Sequence, residues 1–516
     1  MNKFVTSLKN DSNRTYTENG AVTYKSTLNG LLDLFALGGA YRVRSDADVI
    51  TLFSKAFREN EKYALKCLFY LRDVRGGQGE RRFFRVVTKW LAREHTEAMR
   101  RNLQYVPEFG RWDDLYEFVG TPLEKDAFAL IRNQLVLDTK CNTPSLLAKW
   151  LKSENTSSRT SRQLAEKTRK YLGMTCRQYR KTLSILRERI RVLERLMSAG
   201  RWDEIEFDKI PSKAGMVYKN AFARHDLERM KSEKAVQSYE DFAKDKSTKV
   251  NAKALYPYEV VKEAMAFGNG SWGGYYNRGR KSSDLNNTER LMVNKYWENL
   301  ADYFKGCTFN GICVADTSGS MYGDPLAVAL SIAMYCAERN KGDFANHFFT
   351  FSSNPTFVEI EGADFVDKIN RMVRSDWGGS TNVEAVFDKM LSIAKQNRCT
   401  QDEIPASVII VSDMEFNSCV RGGSRSNDRW GSYGSTADET LFETIEKRWR
   451  AAGYKMPNLV FWNVQARQNN IPMRVSGHVS YVSGFSPVIF EQVLKGVTAY
   501  DLMFDKLDSE RYACIH

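Results

Sequence analysis

The sequence predicts a chain in two parts, an all-α helical repeat followed by a doubly wound α/β domain. Three observations carry that reading. Between residues 28 and about 299, apolar residues recur at helical spacing with short breaks. After Trp297 the period changes, and strand-like apolar runs stand at 312–315, 347–351, 408–411, 459–464 and 479–482. Helical stretches at 326–339, 383–396 and 441–451 separate most of these runs. Strands alternating with helices build a parallel sheet covered on both faces.

Taken in order, residues 1–27 are polar, with Asn10-Asp11-Ser12-Asn13-Arg14 at their centre, and read as an extended, mobile segment. The helical domain follows over 28–300. Asp46-Ala47-Asp48 opens a helix that continues through Ile50, Leu52, Phe53 and Phe57, and residues 64–71 form another that stops at Gly76-Gly77. Further helices run from Arg81 to Leu91 and from Leu186 to Met197. None can bury its apolar face alone, so stacked neighbours are expected, in an α-solenoid.

One stretch echoes another: Gly110-Arg111-Trp112-Asp113-Asp114-Leu115 returns as Gly200-Arg201-Trp202-Asp203-Glu204-Ile205. A structural role is favoured, with Trp packed between helices and the acid capping the next one. The segment from Gly268 to Lys281 reads as a surface loop whose Arg and Tyr side chains suit nucleic acid. It is not a phosphate loop, because Gly279 is followed by Arg280 rather than by Lys and Ser or Thr. The α/β domain occupies 305–516, with an edge hairpin expected near 356–360.

Composition narrows the class. A chain of 516 residues exceeds what one core supports. Its 42% apolar and 12% aromatic content excludes a disordered protein. No apolar run approaches the ~20 residues of a membrane span, and Met1-Asn2-Lys3-Phe4-Val5-Thr6 has no signal-peptide core. The nine cysteines form no Cys-x-x-Cys pair, so neither a disulfide framework nor a zinc site is expected. A cytoplasmic protein that touches no membrane is expected, with a monomer as the simplest state. The net charge is +13, and Lys149 to Lys234 alone carries 22 Lys and Arg against 11 Asp and Glu. Such an excess suits a polyanion such as RNA, or is simply a set of solvated helix faces.

The clearest chemistry lies at Asp316-Thr317-Ser318-Gly319-Ser320-Met321, just after the run Gly311-Ile312-Cys313-Val314-Ala315. Ligands of open α/β sheets bind at the carboxyl ends of such strands. A carboxylate and two hydroxyls on one tight turn suit a hard cation, Mg²⁺ or Mn²⁺, although Asp/Ser turns also merely cap helices. Gly378-Gly379-Ser380-Thr381-Asn382 brings a third hydroxyl, Thr381, and Val408-Ile409-Ile410-Val411-Ser412-Asp413 ends in a second carboxylate. The order Asp316, Ser318, Ser320, Thr381, Asp413 resembles the metal-ion-dependent adhesion site (MIDAS) of von Willebrand factor A domains. That resemblance implies direct ligation by the hydroxyls, with Asp316 and Asp413 acting mainly through water. With two carboxylates only, the cation keeps a position open for a partner's carboxylate or phosphate.

Most of the chain resembles the Ro autoantigen (TROVE) family, and especially its Ro-like relatives. Besides the metal motif, the resemblance rests on the stretch from Leu71 to Arg82, on Ser412-Asp413-Met414-Glu415-Phe416, and on Phe461-Trp462-Asn463 followed by Ser483-Gly484-Phe485-Ser486-Pro487. It implies HEAT-like helix pairs, either open or closed into a ring by a C-terminal A domain, and a role as an RNA-binding ribonucleoprotein component. The residues expected to meet RNA are Arg159, Arg162, Lys167, Arg169, Lys170, Arg177 and Arg180, a cluster in which Glu166 is the only acid from Arg159 to Arg180. Arg72 and Arg75 join them, because arginines beside glycines suit phosphates. A structural reading of that stretch stays open: Gly76-Gly77 ends a helix, and Asp73 pairs with a nearby arginine. Two other functions remain open as well. One is an adaptor whose metal site recruits an acidic protein; the other is a metal-dependent nuclease. No enzyme is expected, since no second carboxylate cluster is visible and the five histidines stand apart.

Overall fold

The computed structural model describes residues 12–267, 286–307, 309–350, 355–374, 382–417, 440–494 and 498–516. Thr381, with the glycines before it, and the Gly268 to Lys281 loop lie outside the described residues. The chain divides into two compact units: Met1–Cys67 with Leu255–Asn286 and Leu300–Ser509, and Leu68–Ala254 with Asn287–Asn299 and Glu510–His516. Both units are therefore built from separate stretches of sequence, whereas a reading of the sequence alone put one boundary near 300–305.

The first unit holds the sheet. A short hairpin, β1 (Arg14–Tyr16) and β2 (Val22–Tyr24), precedes six further strands. These are β3 (Gly311–Ala315), β4 (His347–Thr350), β5 (Phe357–Glu359), β6 (Ser407–Ser412), β7 (Asn458–Asn463) and β8 (Val479–Ser483). They form one sheet in the order β5-β4-β3-β6-β7-β8, parallel from β4 through β8, with β5 antiparallel at the edge. β3 and β8 are buried along their whole length, and β6 and β7 at all but their first residue. A parallel strand covered on both faces needs an unbroken apolar run, which Val408-Ile409-Ile410-Val411 supplies.

The helix Asp324–Arg339 leaves the end of the β3 motif, begins with Pro at its first turn, and buries every residue from Pro325 to Ala337. The helix Pro257–Met265 packs on it, and the helix Gly30–Leu37, buried on all sides, packs on β8. Just after it, Gly39 lies so close to β8 that a Cβ there would stand 2.6 Å from the Ser483 carbonyl oxygen. The β1–β2 hairpin is docked rather than trailing: the Tyr24 N–H donates to Ile471 O at 3.0 Å, and Gly20 bridges Asn417. The mobile segment expected from the polar composition is, over its described part, a hairpin held by both backbone and side-chain hydrogen bonds.

The second unit is helical. Its described helices include Arg81–Glu94, Glu124–Lys140, Arg159–Tyr171, Cys176–Arg189, Ser212–Arg229 and Asn287–Glu298. Thr175 and Gln178 form a capping box at the start of Cys176–Arg189, and Ser158 caps Arg159–Tyr171. Phe207, Phe222, Tyr239 and Phe242 cluster in one part of the core. Lys295 is buried against them, its ammonium donating to Phe242 O at 2.7 Å and to Thr248 Oγ1 at 2.9 Å. The chain end returns here, where Tyr512 Oη donates to Asp73 Oδ2 at 3.0 Å and the His516 N–H to Asn102 Oδ1 at 3.0 Å.

Candidate functional site

The carboxyl ends of β3 and β6 are neighbours because the two strands pair in register, Ala315 opposite Val411. The loops that leave them therefore start side by side, and Asp316 N–H donates to Val411 O at 3.0 Å. Asp316 is fully buried. Its Oδ1 accepts from the Ser318 N–H at 2.9 Å and its Oδ2 from Ser412 Oγ at 2.6 Å. Ser318 Oγ lies 3.0 Å from Ser320 Oγ. Asp413 Oδ1 accepts from the Glu415 N–H at 3.2 Å, while Asp413 Oδ2 is buried without a hydrogen-bond donor. Between them Met414 takes a left-handed φ of 64°, which turns the loop and carries strain for a residue with a Cβ. Four of the five residues singled out in the sequence thus converge: Asp316, Ser318, Ser320 and Asp413.

The cluster is electrostatically expensive as it stands. Burial raises the Asp316 carboxyl, and the charge of Asp413 raises it further, to about 7. Asp413 is raised too, by burial first, with the Ser320 hydroxyl and Arg467 acting against that. Glu415, also buried, is pushed up to about 7 mainly by burial, with Asp413 and Glu18 adding to the shift. Uncompensated buried carboxylates are costly, and they call for a proton or a cation.

Among the described residues, no three His, Cys, Asp or Glu side chains gather as a metal cluster. A cation held here would rely on the serine hydroxyls together with the two aspartates. Such an all-oxygen set, with one carboxylate oxygen left without a donor, fits a hard divalent ion rather than zinc or copper.

Three residues at this site went unassigned in the sequence. Arg467, in the loop after β7, donates through Nη2 to Ser320 O at 2.7 Å and stands 3.6 Å from Asp413 Oδ2. Glu18, on the hairpin, stands 3.5 Å from Arg467 Nη1, and its N–H donates to Glu415 Oε2 at 2.6 Å. Asn470 Nδ2 donates to the other Glu415 oxygen at 2.8 Å. No motif marks these positions; only the fold brings them here.

In the helical unit the basic residues part into two groups. Lys167 pairs with Glu124 at 2.7 Å, Arg169 with Glu154 at 2.8 Å and Lys170 with Glu166 at 2.7 Å. Arg159, Arg162, Arg177 and Arg180 are exposed and form no ion pair among the described residues.

Arg72 does not belong with them. It is buried, and its Nε and Nη2 donate to Asp114 Oδ2 at 2.9 and 2.7 Å, which removes it from any surface ligand. Arg75 is exposed, donating to Glu108 O at 2.6 Å. Asp73 pairs with Arg511, whose Nη2 donates to Asp73 Oδ1 at 2.7 Å. The structural reading of this stretch therefore holds for Arg72 and Asp73.

The Gly-Arg-Trp echo is structural in both copies. Asp114 accepts the Arg111 N–H at 3.0 Å and binds Arg85 at 2.7 Å, while Asp113 binds Arg81 at 2.8 Å and Arg111 at 3.1 Å. In the second copy Glu204 binds Arg201 at 2.6 Å, and Trp202 stacks on His225 with centroids 4.0 Å apart.

Comparison with known proteins gives family matches over most of the chain. Residues 17–145 and 134–307 match a family described as a domain of unknown function (DUF2828), and residues 310–510 match another, DUF7788. An uncharacterized protein of Acanthamoeba polyphaga mimivirus is 30% identical over 94% of this chain and 85% of its own length. Among solved structures the chain is similar to the Ro (RSR) protein of Deinococcus radiodurans, at 13% identity and a TM-score of 0.39, over 94% of this chain and 100% of that one. A likeness that loose carries no argument here.

Proposed function

The chain belongs to the DUF2828 family, and we propose that it is a Ro-like RNA-binding protein whose α/β unit is a von Willebrand factor A domain with a divalent-cation ligand site. The observation that carries this reading is the convergence of Asp316, Ser318, Ser320 and Asp413 at the ends of two adjacent parallel strands. It supports Mg²⁺ or Mn²⁺ held by the serine hydroxyls and the two aspartates, with Thr381 as the proposed further ligand. The cation would supply a point of attachment for an oxygen of an anionic ligand; Asp316 and Asp413 set its charge, and Ser412 and the Ser318 N–H hold the Asp316 carboxylate in place. Bond breaking has no part in this scheme.

RNA is proposed as the partner from two features: the excess charge between Lys149 and Lys234, and the exposed Arg159, Arg162, Arg177 and Arg180, which are free of acidic partners among the described residues. The helical unit is read as a HEAT-like repeat that presents this charge. The test is filter binding of structured and single-stranded RNA at several salt concentrations. Log affinity should fall linearly with log salt, by about 0.7 per phosphate contact on single strands. Reversing the four free arginines to Glu should flatten that slope. An unchanged slope in the folded variant would move the RNA face elsewhere or remove it.

A further inference from the structure

We propose that Arg467 is a built-in counter-cation of the Asp316–Asp413 cluster, which a divalent ion must displace in order to bind, with Glu18 placed to receive it. This rests on the cation reading above and adds what governs the affinity of that site.

The geometry is specific. The loop carrying Arg467 is fixed by the Ala466 N–H donating to Ala40 O at 3.0 Å, and Arg44 donates to the Arg467 carbonyl. The guanidinium is then aimed back over the β3 loop, where Nη2 holds Ser320 O at 2.7 Å. Its Nε stands 3.6 Å from Asp413 Oδ2, too far for a hydrogen bond but close enough to compensate charge. That same oxygen is buried and has no hydrogen-bond donor. Among the described residues, no other ion pair reaches either motif aspartate. Arg467 thus places a positive charge beside the Asp413 end of the buried pair.

A second carboxylate stands at the other end of the guanidinium. Glu18 Oε2 lies 3.5 Å from Nη1. Glu18 is held there by its hairpin, whose Thr17 Oγ1 donates to Phe416 O at 2.6 Å while the Glu18 N–H donates to Glu415. Arg467 Nη1 already donates a long hydrogen bond to Glu18 Oε2 at 3.5 Å but none to Asp413, so a shift toward Glu18 tightens an existing bond and gives up only the one to Ser320 O. A cation bound by Asp413 and the serines would stand within a few ångströms of a like charge, and repulsion would favour that shift.

The test is thermal unfolding of the full chain titrated with MgCl₂, for wild type, Arg467→Gln, Arg467→Lys and Glu18→Gln. Arg467→Gln should lower the metal-free melting temperature and cut the Mg²⁺ concentration for half-maximal stabilisation by roughly ten- to a hundred-fold, the usual scale of one neighbouring charge. Arg467→Lys should stay near wild type, and Glu18→Gln should require more Mg²⁺. A purely structural arginine would lower the melting temperature and leave half-saturation unmoved. That outcome, with wild type still responding to Mg²⁺ and Asp316→Ala not, overturns the proposal and leaves the cation reading standing. A response that appears only in Arg467→Gln supports displacement in its strongest form. No response in any of the four proteins overturns both. If Arg467→Gln does not fold, the Arg467→Lys and Glu18→Gln pair decides: equal half-saturation in Glu18→Gln and wild type overturns the proposal.

Discussion

Replacing Arg72 by Met should cost the helical unit about 3 kcal/mol and leave RNA affinity unchanged. The arginine and Asp114 are both buried, joined by two hydrogen bonds of 2.9 and 2.7 Å. Removing one partner of a buried ion pair typically costs ~3–5 kcal/mol, because the other is left uncompensated. Asp114 keeps Arg85 Nε at 2.7 Å and the Arg111 N–H at 3.0 Å after the loss, which places Arg72→Met at the low end. Asp114→Ala should cost more, about 4–5 kcal/mol by the same scale, since it strands the buried Arg72 and takes one of three acidic partners from Arg85, which keeps Asp113 and Glu117. Urea unfolding followed by far-ultraviolet circular dichroism measures both. RNA filter binding on the folded fraction supplies the second readout. A loss under about 1 kcal/mol, or a tenfold drop in RNA affinity by a fully stable Arg72→Met protein, would refute the structural assignment of this arginine.

Acid should attack the same network: burial alone would raise Asp114, but Arg72 and Arg85 outweigh it and hold the carboxyl below its usual value. Its contribution is therefore complete above the unfolded value near 4 and is lost as pH falls through the lower folded one, visible in urea midpoints taken from pH 5 down to pH 2. The Asp316–Asp413 cluster should behave in the opposite sense. Burial raises Asp316 and Glu415 to about 7, so in EDTA the fold should lose stability as pH climbs from about 4 to 7. Metal-free melts that rise over that window would contradict the burial of these carboxylates. Gly77→Ala should destabilise by about 1–3 kcal/mol, because its Cβ would stand 2.1 Å from the Tyr70 carbonyl oxygen; an unchanged urea midpoint would show that the turn relaxes. Lys167→Glu would face Glu124 and should lower stability measurably, whereas Arg177→Glu should change it by less than about 0.5 kcal/mol yet weaken RNA binding.

The sheet and the aspartate–serine loop were legible in the sequence because both are local. Parallel strands buried on two faces must read as apolar runs, so Val408–Val411 and Ile312–Ala315 announce β6 and β3 directly. The motif residues follow their strand at alternate positions, and a strand end fixes where they point.

Partner choice was not legible. Residues 30–37 and 257–265 show helices with apolar faces, but nothing in a periodicity says that those faces meet the sheet. Arg72 looked like a phosphate contact beside its glycines, and only Asp114, 42 positions away, makes it a core residue. Arg467 and Glu18 carry no motif, and they reach the aspartate cluster through a sheet-end loop and a docked hairpin respectively.

The most direct test of the central claim is a Mn²⁺ titration followed by electron paramagnetic resonance, in which free ion gives signal and bound ion loses it. Wild type should bind one Mn²⁺ per chain at this site, competed by Mg²⁺, and both Asp316→Asn and Asp413→Asn should lose it while remaining folded. Equal Mn²⁺ binding by wild type and both variants would contradict a cation site built from these oxygens.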